Sequence, residues 1–151
     1  MTHACMRLRN MLPFLFVFLA ACNHIQTGKT LSKKVIDRIQ RLNLLDKDEK
    51  IYKFYSEFKS DVAGNFFTDK RLAKYWIDKK DKTKDQISFA YYPDIKSIDT
   101  VYHPGATYCP YLLVTKENGS QFKVFVDGTQ KEIKEFFEEA IDEWKQNKTT
   151  K

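Results

Sequence analysis

Residues 111–128, YLLVTKENGSQFKVFVDG, carry the clearest structural pattern in this sequence of 151 residues. Two runs in which apolar and polar residues alternate flank the letters NGS at positions 118–120. Successive side chains of a β-strand point to opposite faces, and Asn-Gly is a typical sequence for a tight turn between strands. The stretch therefore predicts an antiparallel hairpin in which Phe122, Val124 and Val126 share one face.

The hairpin leads into an amphipathic helix. Thr129 and Glu132 have the spacing of a capping box, in which two side chains satisfy backbone N–H groups at the start of a helix. Apolar side chains then recur with the period of a helix, at Ile133, Phe136, Phe137, Ala140, Ile141 and Trp144. Burial of such side chains against a sheet contributes on the order of 2 kcal/mol each before the entropy cost is subtracted. We expect this helix to be structural, with a solvated acidic outer surface.

Several segments before the hairpin have the composition of strands. EKIYKFYSEF at 49–58 alternates and is rich in aromatic residues, and NFFT at 65–68 and LAKYWI at 72–77 are similar. QISFAYYPDIKSIDTVYH at 86–103 is interpreted as a long strand that is broken or bent at Pro93. The charged letters DKKDKTKD that precede it predict an exposed loop.

A helix is also predicted ahead of the first strand. Leu31, Val35, Ile39 and Leu42 recur at helical spacing, and charged residues lie between them. The sequence therefore predicts one amphipathic helix at residues 31–43. The polar segment at residues 22–30 is interpreted as a tether.

The order of these elements, together with four segments, resembles the bacterial pleckstrin-homology-like (PH-like) domains. The segments are LLDKDEKIYKFYS, GNFFTDKRLAKYW, ISFAYYPDIKSI and EIKEFFEEAI, and the resemblance covers residues 44–146. It implies an α+β, mainly β fold, with a strongly bent antiparallel sheet or barrel of about seven strands. The C-terminal amphipathic helix caps this sheet, the N-terminal helix precedes it, and residues 147–151 form a polar tail.

At the other end of the chain, MLPFLFVFLAACN at 11–23 is the most apolar stretch. It follows Arg7 and Arg9, and its apolar part at 11–21 is about 16 Å long as a helix, too short to cross a bilayer. A basic start, an apolar middle and small residues at the end are typical of a secretory signal peptide. We expect this leader at residues 1–21, with translation starting at the first, second or third methionine.

The end of the leader, LAAC at 19–22, resembles the lipobox of bacterial lipoproteins. The resemblance implies cleavage after Ala21 and a covalent lipid on Cys22, with no other cofactor. Two or more acyl chains hold a protein stably on a membrane, so we expect a lipid-anchored protein of the bacterial cell envelope. Asn23 stands where an inner-membrane retention signal has Asp, which favours the periplasmic face of the outer membrane in a cell with two membranes. The alternative is a signal peptide without lipid that carries Cys22 by chance.

Charge narrows the range of partners only slightly. The chain has a net charge of +6, and 24 basic and 20 acidic residues remain without the leader. Such a surplus fits a protein near anionic head groups, but it is also common in domains that bind nothing acidic. We expect no nucleic-acid partner, because the leader directs the protein away from nucleic acid.

The resemblance implies a binding module rather than an enzyme. PH-like sheets commonly dock a protein or peptide at the sheet edge beside the C-terminal helix. We therefore expect a non-enzymatic module that binds or assembles an envelope protein or peptide. The candidate aromatic contacts are Tyr52, Phe54, Tyr91, Tyr92 and Tyr111.

A lipid head-group module is the alternative. In eukaryotic relatives, basic residues around the first two strands bind phosphoinositide head groups. The corresponding positions here are Lys53, Lys59, Lys70 and Arg71. Glu57 and Asp61 flank Lys59, which departs from the basic pattern of such binders.

An envelope enzyme is the third hypothesis. Cys109 would be the one thiol left in the mature domain outside the anchor, with His103 six residues before it and Asp99 nearby. A lone cysteine is more often a small buried residue than a nucleophile. The sequence has no metal-ligand spacing or glycine-rich phosphate loop that would support catalysis, so we expect no catalytic residue and no metal.

Overall fold

The computed structural model describes residues 24–105 and 108–148, so the predicted signal peptide and Cys22 lie outside the described residues. The described chain folds into strands and two α-helices. The strands are β1 (Gln26–Thr27), β2 (Ile51–Tyr55), β3 (Ala63–Thr68), β4 (Arg71–Trp76), β5 (Gln86–Tyr91), β6 (Ile95–Val101), β7 (Tyr111–Lys116) and β8 (Gln121–Phe125). The helices are α1 (Lys33–Arg41) and α2 (Gln130–Asn147).

The strands form two antiparallel sheets. The first has the order β1-β2-β3-β4-β5, and the second has the order β6-β7-β8. The segment predicted as one broken strand divides at a 3-10 helix over Tyr92–Asp94, and its two halves belong to different sheets. Pro93 cannot donate to a strand ladder, and the buried Tyr92 side chain fixes the corner by donating to Thr68 O at 2.5 Å.

This architecture confirms the predicted fold class. The fold is mainly β and antiparallel, it ends in a helix that packs on the sheets, and a second helix precedes it. The elements also have the order that the resemblance to PH-like domains predicts. In the part of the chain that the structure describes, no helix is long and apolar enough to span a membrane.

The capped hairpin and α2 follow the sequence pattern closely. Gly119 adopts a positive φ of 83° in the turn between β7 and β8, which glycine adopts without steric cost. The Thr129 hydroxyl accepts from the Glu132 N–H, and the Glu132 carboxylate accepts from the Thr129 N–H, so the predicted capping box is present. The α2 residues Ile133, Phe136, Phe137 and Ala140 are buried.

Strand β3 differs from a simple alternating strand because it is covered on both faces. All of its residues are buried. Phe67 packs into the cluster under α2 and the second sheet, whereas Phe66 packs into a second cluster with α1 residues such as Val35 and Ile39. The N-terminal helix therefore supplies a second core on the outer face of the first sheet.

The structure gives the segment before α1 more order than a tether. Gln26 and Thr27, within the range predicted as a tether, pair with Phe54 and Lys53 of β2. Ile25 also packs against the core cluster under α2. The alternation of Ile25 with polar neighbours is too short to be recognised as a strand, and only the edge of β2 gives it a partner.

Candidate functional site

Two of the predicted head-group residues, Lys53 and Lys59, have different environments. Lys53 on β2 is largely covered, and its Nζ lies 2.8 Å from Glu139 of α2. Lys59 lies in the exposed loop after β2, with its Nζ 5.8 Å from the centre of the Phe58 ring. Lys53 therefore links a strand to a helix, while Lys59 is on the surface.

The other two predicted residues lie together at the turn between β3 and β4. Lys70 Nζ is 3.7 Å from Asp46, and Arg71 Nη2 is 3.0 Å from the same carboxylate. Lys70 is exposed, but the Arg71 side chain is only 1% exposed. Neighbours in sequence thus have opposite environments.

Arg71 is engaged by a buried carboxylate. Its Nε donates to Glu49 Oε1 at 2.8 Å and its Nη2 donates to Glu49 Oε2 at 2.5 Å. Burial disfavours the charged guanidinium, but the hydrogen bonds and attraction of Glu49 outweigh this effect and raise the pKa of Arg71. Thr68 donates to the same carboxylate at 2.5 Å, and the Tyr91 ring lies 4.3 Å from the guanidinium carbon. An anionic ligand would have to displace Glu49, so this pair fastens the segment after α1 to the first sheet.

The predicted aromatic contacts are mostly structural. Phe54 and Tyr92 are core residues, and Tyr91 packs on Arg71. Tyr111 makes a ring contact with Phe125 of the neighbouring strand. Of these five, Tyr52 has the largest surface exposure at 38%.

Cys109 lies in an environment that disfavours the thiolate. It is half-buried, and burial together with the charges of Asp127 and Glu57 raises its pKa. The thiolate is the nucleophilic form of cysteine. His103 and Asp99 are exposed, and no hydrogen bond or ion pair joins either of them to Cys109 among residues 24–105 and 108–148. Within the same residues no group of His, Cys, Asp or Glu side chains could hold a metal ion.

Strand β6 and helix α2 lie next to each other, and we call the surface between them the groove. At one end Tyr102, directly after β6, contacts the Phe137 ring with centroids 5.2 Å apart. At the other end Lys148 Nζ lies 3.4 Å from Lys96 O and 4.9 Å from the centre of the Trp144 ring. Strand and helix therefore run side by side over the length of β6. The apolar residues Ile98, from β6, and Ile141, from α2, are half-buried between these ends.

The outer side of β6 carries backbone groups without a strand partner in the described chain. Strand β6 pairs with β7 on one side and is the edge of its sheet. The carbonyl of Lys96 points to Lys148 and hence away from β7. Backbone groups of alternate residues in an antiparallel strand point to alternate sides. Beyond the register irregularity between Ile95 and Ser97, the N–H and C=O groups of Ile98 and Thr100 therefore face the free edge, as does the carbonyl of Lys96.

A second exposed surface lies at one end of the first sheet. The register pairs Ala63 with Trp76 and Trp76 with Gln86, so the loops 56–62 and 77–85 leave from the same end. Phe58 is 53% exposed and Trp76 is 38% exposed, and their ring centroids are 6.3 Å apart. We call Phe58, Lys59 and Trp76 the aromatic tip.

A cleft lined by lysines adjoins the aromatic tip at Lys59. Lys34, Lys59 and Lys79 line this cleft of about 420 Å³, together with Asp61, which pairs with Lys79 at 2.8 Å. The register of β1 brings the chain to the sheet at the end of β2 from which the 56–62 loop leaves. The segment that follows Cys22 in the sequence thus enters the fold at the same end as the tip.

The resemblance to PH-like domains implied a docking edge beside the C-terminal helix, but the sequence did not single out the residues of the groove or the paired rings of the tip. A signal for Trp76 was present, because alternation in LAKYWI puts it on the opposite face from Tyr75 and Ile77, which are both buried. Phe58 stands between charged residues in a loop, which is an unusual place for an apolar ring. The groove depends on how α2 lies against β6, and residue spacing does not encode that contact.

Among solved structures, the chain is similar to a DUF1696 family protein with a pleckstrin-homology domain from Shewanella loihica PV-4. The two share 16% sequence identity over 68% of this chain and 92% of that chain, with a TM-score of 0.43. No protein-family model and no curated protein matches this sequence. We therefore base the proposed function on the geometry of the chain's own surfaces.

Proposed function

We propose that this chain is a lipid-anchored protein of the bacterial envelope that binds an extended segment of a protein partner along β6. The observation that carries the proposal is the free edge of β6 with α2 beside it. An extended peptide adds to such an edge through main-chain hydrogen bonds, and its alternate side chains enter neighbouring pockets. The lipid on Cys22 keeps this binding edge at a membrane surface.

The groove favours a particular kind of segment. Ile98 and Ile141 offer an apolar surface between β6 and α2, so alternate residues of the partner should be apolar. Lys96 and Asp99 are exposed on β6 and have opposite charges. A partner with an acidic and a basic residue at matching positions would be aligned in one register.

A proline substitution tests the edge. Thr100 is exposed and its N–H faces away from β7, so Thr100→Pro removes a donor to the partner without removing a ladder hydrogen bond. Peptides selected from a random library against the wild-type chain should bind this variant about tenfold more weakly or worse. Thr100→Ala is the matched control and should bind as the wild type does. Equal binding by the proline variant would place the peptides elsewhere and reject the edge.

Intact mass tests the anchor. Protein recovered from native membranes should have a mass that begins at residue 22 plus acyl chains. The Cys22→Ala variant should lose both the acyl mass and the product that begins at residue 22. An unmodified product cleaved at another position would reject the lipoprotein assignment while leaving the edge proposal open to the proline test.

A second candidate function is direct contact with a lipid surface. The aromatic tip favours this function, because partly solvent-exposed aromatic rings prefer membrane interfaces and nearby lysines attract anionic lipids. Vesicles of phosphatidylethanolamine with phosphatidylglycerol should bind the Cys22→Ala chain at low salt and release it at high salt. Vesicles without the anionic lipid are the control, and equal binding to both would reject the electrostatic contribution.

A further inference from the structure

A cleft of about 400 Å³ opens between α1, the turn after β1 and the beginning of β2. Its volume lies within the range of roughly 300–1,000 Å³ that is usual for small-molecule sites. None of the residues that line it belongs to β6 or α2. The cleft is therefore separate from the proposed peptide groove.

The floor of the cleft is apolar. Ile36 of α1, Leu45 of the following segment and Ile51 of β2 come together there, and Tyr52 adds an exposed ring. These side chains come from three separate parts of the chain, so the apolar surface is created by the fold. Such a surface would accept a short hydrocarbon chain from water.

Lysines stand around the apolar floor. Lys29, Lys47 and Lys50 line the cleft and are exposed. Among the described residues, none of the three takes part in an ion pair within 4 Å. The acidic lining residue, Glu49, is buried and its charge is compensated by Arg71. The charged side chains that line the cleft therefore carry a net positive charge.

The walls of the cleft are held firmly. A Cβ atom on Gly28 would lie 2.2 Å from Ile51 O, so only glycine allows the turn after β1 to approach β2 this closely. The Arg71–Glu49 pair fixes the opposite wall, since both carboxylate oxygens accept from the guanidinium. A preformed cleft binds with a smaller ordering cost than one that must assemble around its ligand.

From these features we infer that the cleft binds a single-chain amphiphile with an anionic head, such as a fatty-acid carboxylate. The hydrocarbon chain lies on Ile36, Leu45 and Ile51, and the head is held by the surrounding lysines. The lysines favour an anionic over a cationic head, and the apolar floor favours an amphiphile over a small inorganic anion. This inference goes beyond the proposed peptide binding and does not depend on it.

Laurate is a suitable probe, measured by displacement of a fluorescent fatty acid from the full chain with Cys22→Ala. The triple substitution Lys29→Gln, Lys47→Gln and Lys50→Gln should weaken laurate binding about tenfold, because three partly exposed charge contacts are lost. A second variant, Ile36→Trp, should weaken binding by filling the floor. The Ile36→Trp variant should still unfold in one cooperative transition, which shows that it is folded. Its weaker laurate binding then reports on the cleft itself.

The matched control is the triple substitution Lys34→Gln, Lys59→Gln and Lys84→Gln, which removes the same charge from exposed positions outside the cleft. It should bind laurate as the wild type does. If both triple variants weakened laurate binding equally, the effect would be one of net charge alone, and the inference would be overturned. Dodecanol that binds as tightly as laurate, or the absence of saturable laurate binding, would overturn it as well.

Discussion

Arg71 and Lys59 each place a cation against aromatic rings, but they do so in opposite surroundings. Arg71 lies between Glu49 and the Tyr91 ring and is 1% exposed. Lys59 lies beside Phe58, whose ring is 53% exposed. Both side chains are cations beside aromatic rings, at 4.3 Å for Arg71 and 5.8 Å for Lys59, and the two regions differ most clearly in burial.

The contrast shows how burial decides the role of a charge. A charge that is buried must be fully compensated, and loss of its partner leaves a costly isolated charge. An exposed charge is screened by water and contributes little to stability, so it remains available for contacts with other molecules. We therefore assign Arg71 to the scaffold and propose the aromatic tip as a surface for contact with a membrane.

The largest expected effect follows from breaking the buried pair. Arg71→Met leaves Glu49 buried without a counter-charge and should lower the free energy of unfolding by about 3–5 kcal/mol. The double variant Arg71→Met with Glu49→Leu removes both charges and should recover a large part of that loss. Urea denaturation of the three proteins measures the difference. A single variant as stable as the wild type would refute the scaffold role.

Cys109 is intermediate in burial and should give an intermediate effect. Cys109→Ala should lower the free energy of unfolding by about 1 kcal/mol, as is typical of truncating a partly buried side chain. Because its pKa is raised, less thiolate is present at neutral pH, and iodoacetamide should modify it more slowly than an unstructured cysteine. Alkylation of the urea-unfolded chain provides the reference rate. Faster alkylation in the folded protein would instead point to an activated thiol.

The exposed tip should affect contacts rather than stability. The chain contains two tryptophans, and in Trp144→Phe the remaining one, Trp76, reports on the tip. If the tip meets a bilayer, brominated lipids should quench Trp76 in membrane-anchored protein. Adding Phe58→Ser should reduce the quenching while changing stability by less than about 0.5 kcal/mol.

Trp76→Phe is the matched control for the quenching experiment. It leaves Trp144, which packs against the α2 core cluster and is partly buried. Brominated lipids should quench Trp144 much less than Trp76. Equal quenching of both tryptophans would mean that the tip has no preferred contact with the bilayer.

The fold could be predicted from the sequence largely because its elements have local signals. The capping box at Thr129, the turn at Gly119 and the apolar stripe of α2 each depend on residues close in sequence. The two-residue strand β1 has no such signal, since it exists only as a neighbour of β2. The division into two sheets at Pro93 was indicated as a break, but the partner of each half depends on long-range pairing.

The candidate sites were much less predictable than the fold. Arg71 and Lys70 are adjacent in sequence, and the local sequence pattern does not distinguish the buried residue from the exposed one. Arg71 is the buried residue because it pairs with the buried carboxylate of Glu49, which lies 22 positions away in the sequence. The groove beside β6 and the lysine-lined cleft likewise require the placement of a helix against a sheet. Tertiary contacts, which residue patterns do not record, therefore determine where each charge is available.

The smallest expected effect concerns the exposed pair of Lys79 and Asp61. The hydrogen bond from Lys79, 2.8 Å long, holds the pKa of Asp61 below its usual value. Stability from this pair is present above the unfolded pKa of about 3.9 and is lost as the pH falls through the lower folded pKa. Lys79→Gln should move the pKa of Asp61 upward in a carboxylate NMR titration.

The same substitution should change the free energy of unfolding at neutral pH by less than about 1 kcal/mol, because both side chains are well exposed. Lys79–Asp61 and Arg71–Glu49 are both close ion pairs between a basic side chain and a carboxylate. The ratio of their two effects therefore measures what burial adds to an ion pair in this fold. A loss at Lys79 as large as that at Arg71 would show that the end of the sheet is part of the scaffold, and the aromatic tip would then no longer be a surface free to meet a membrane.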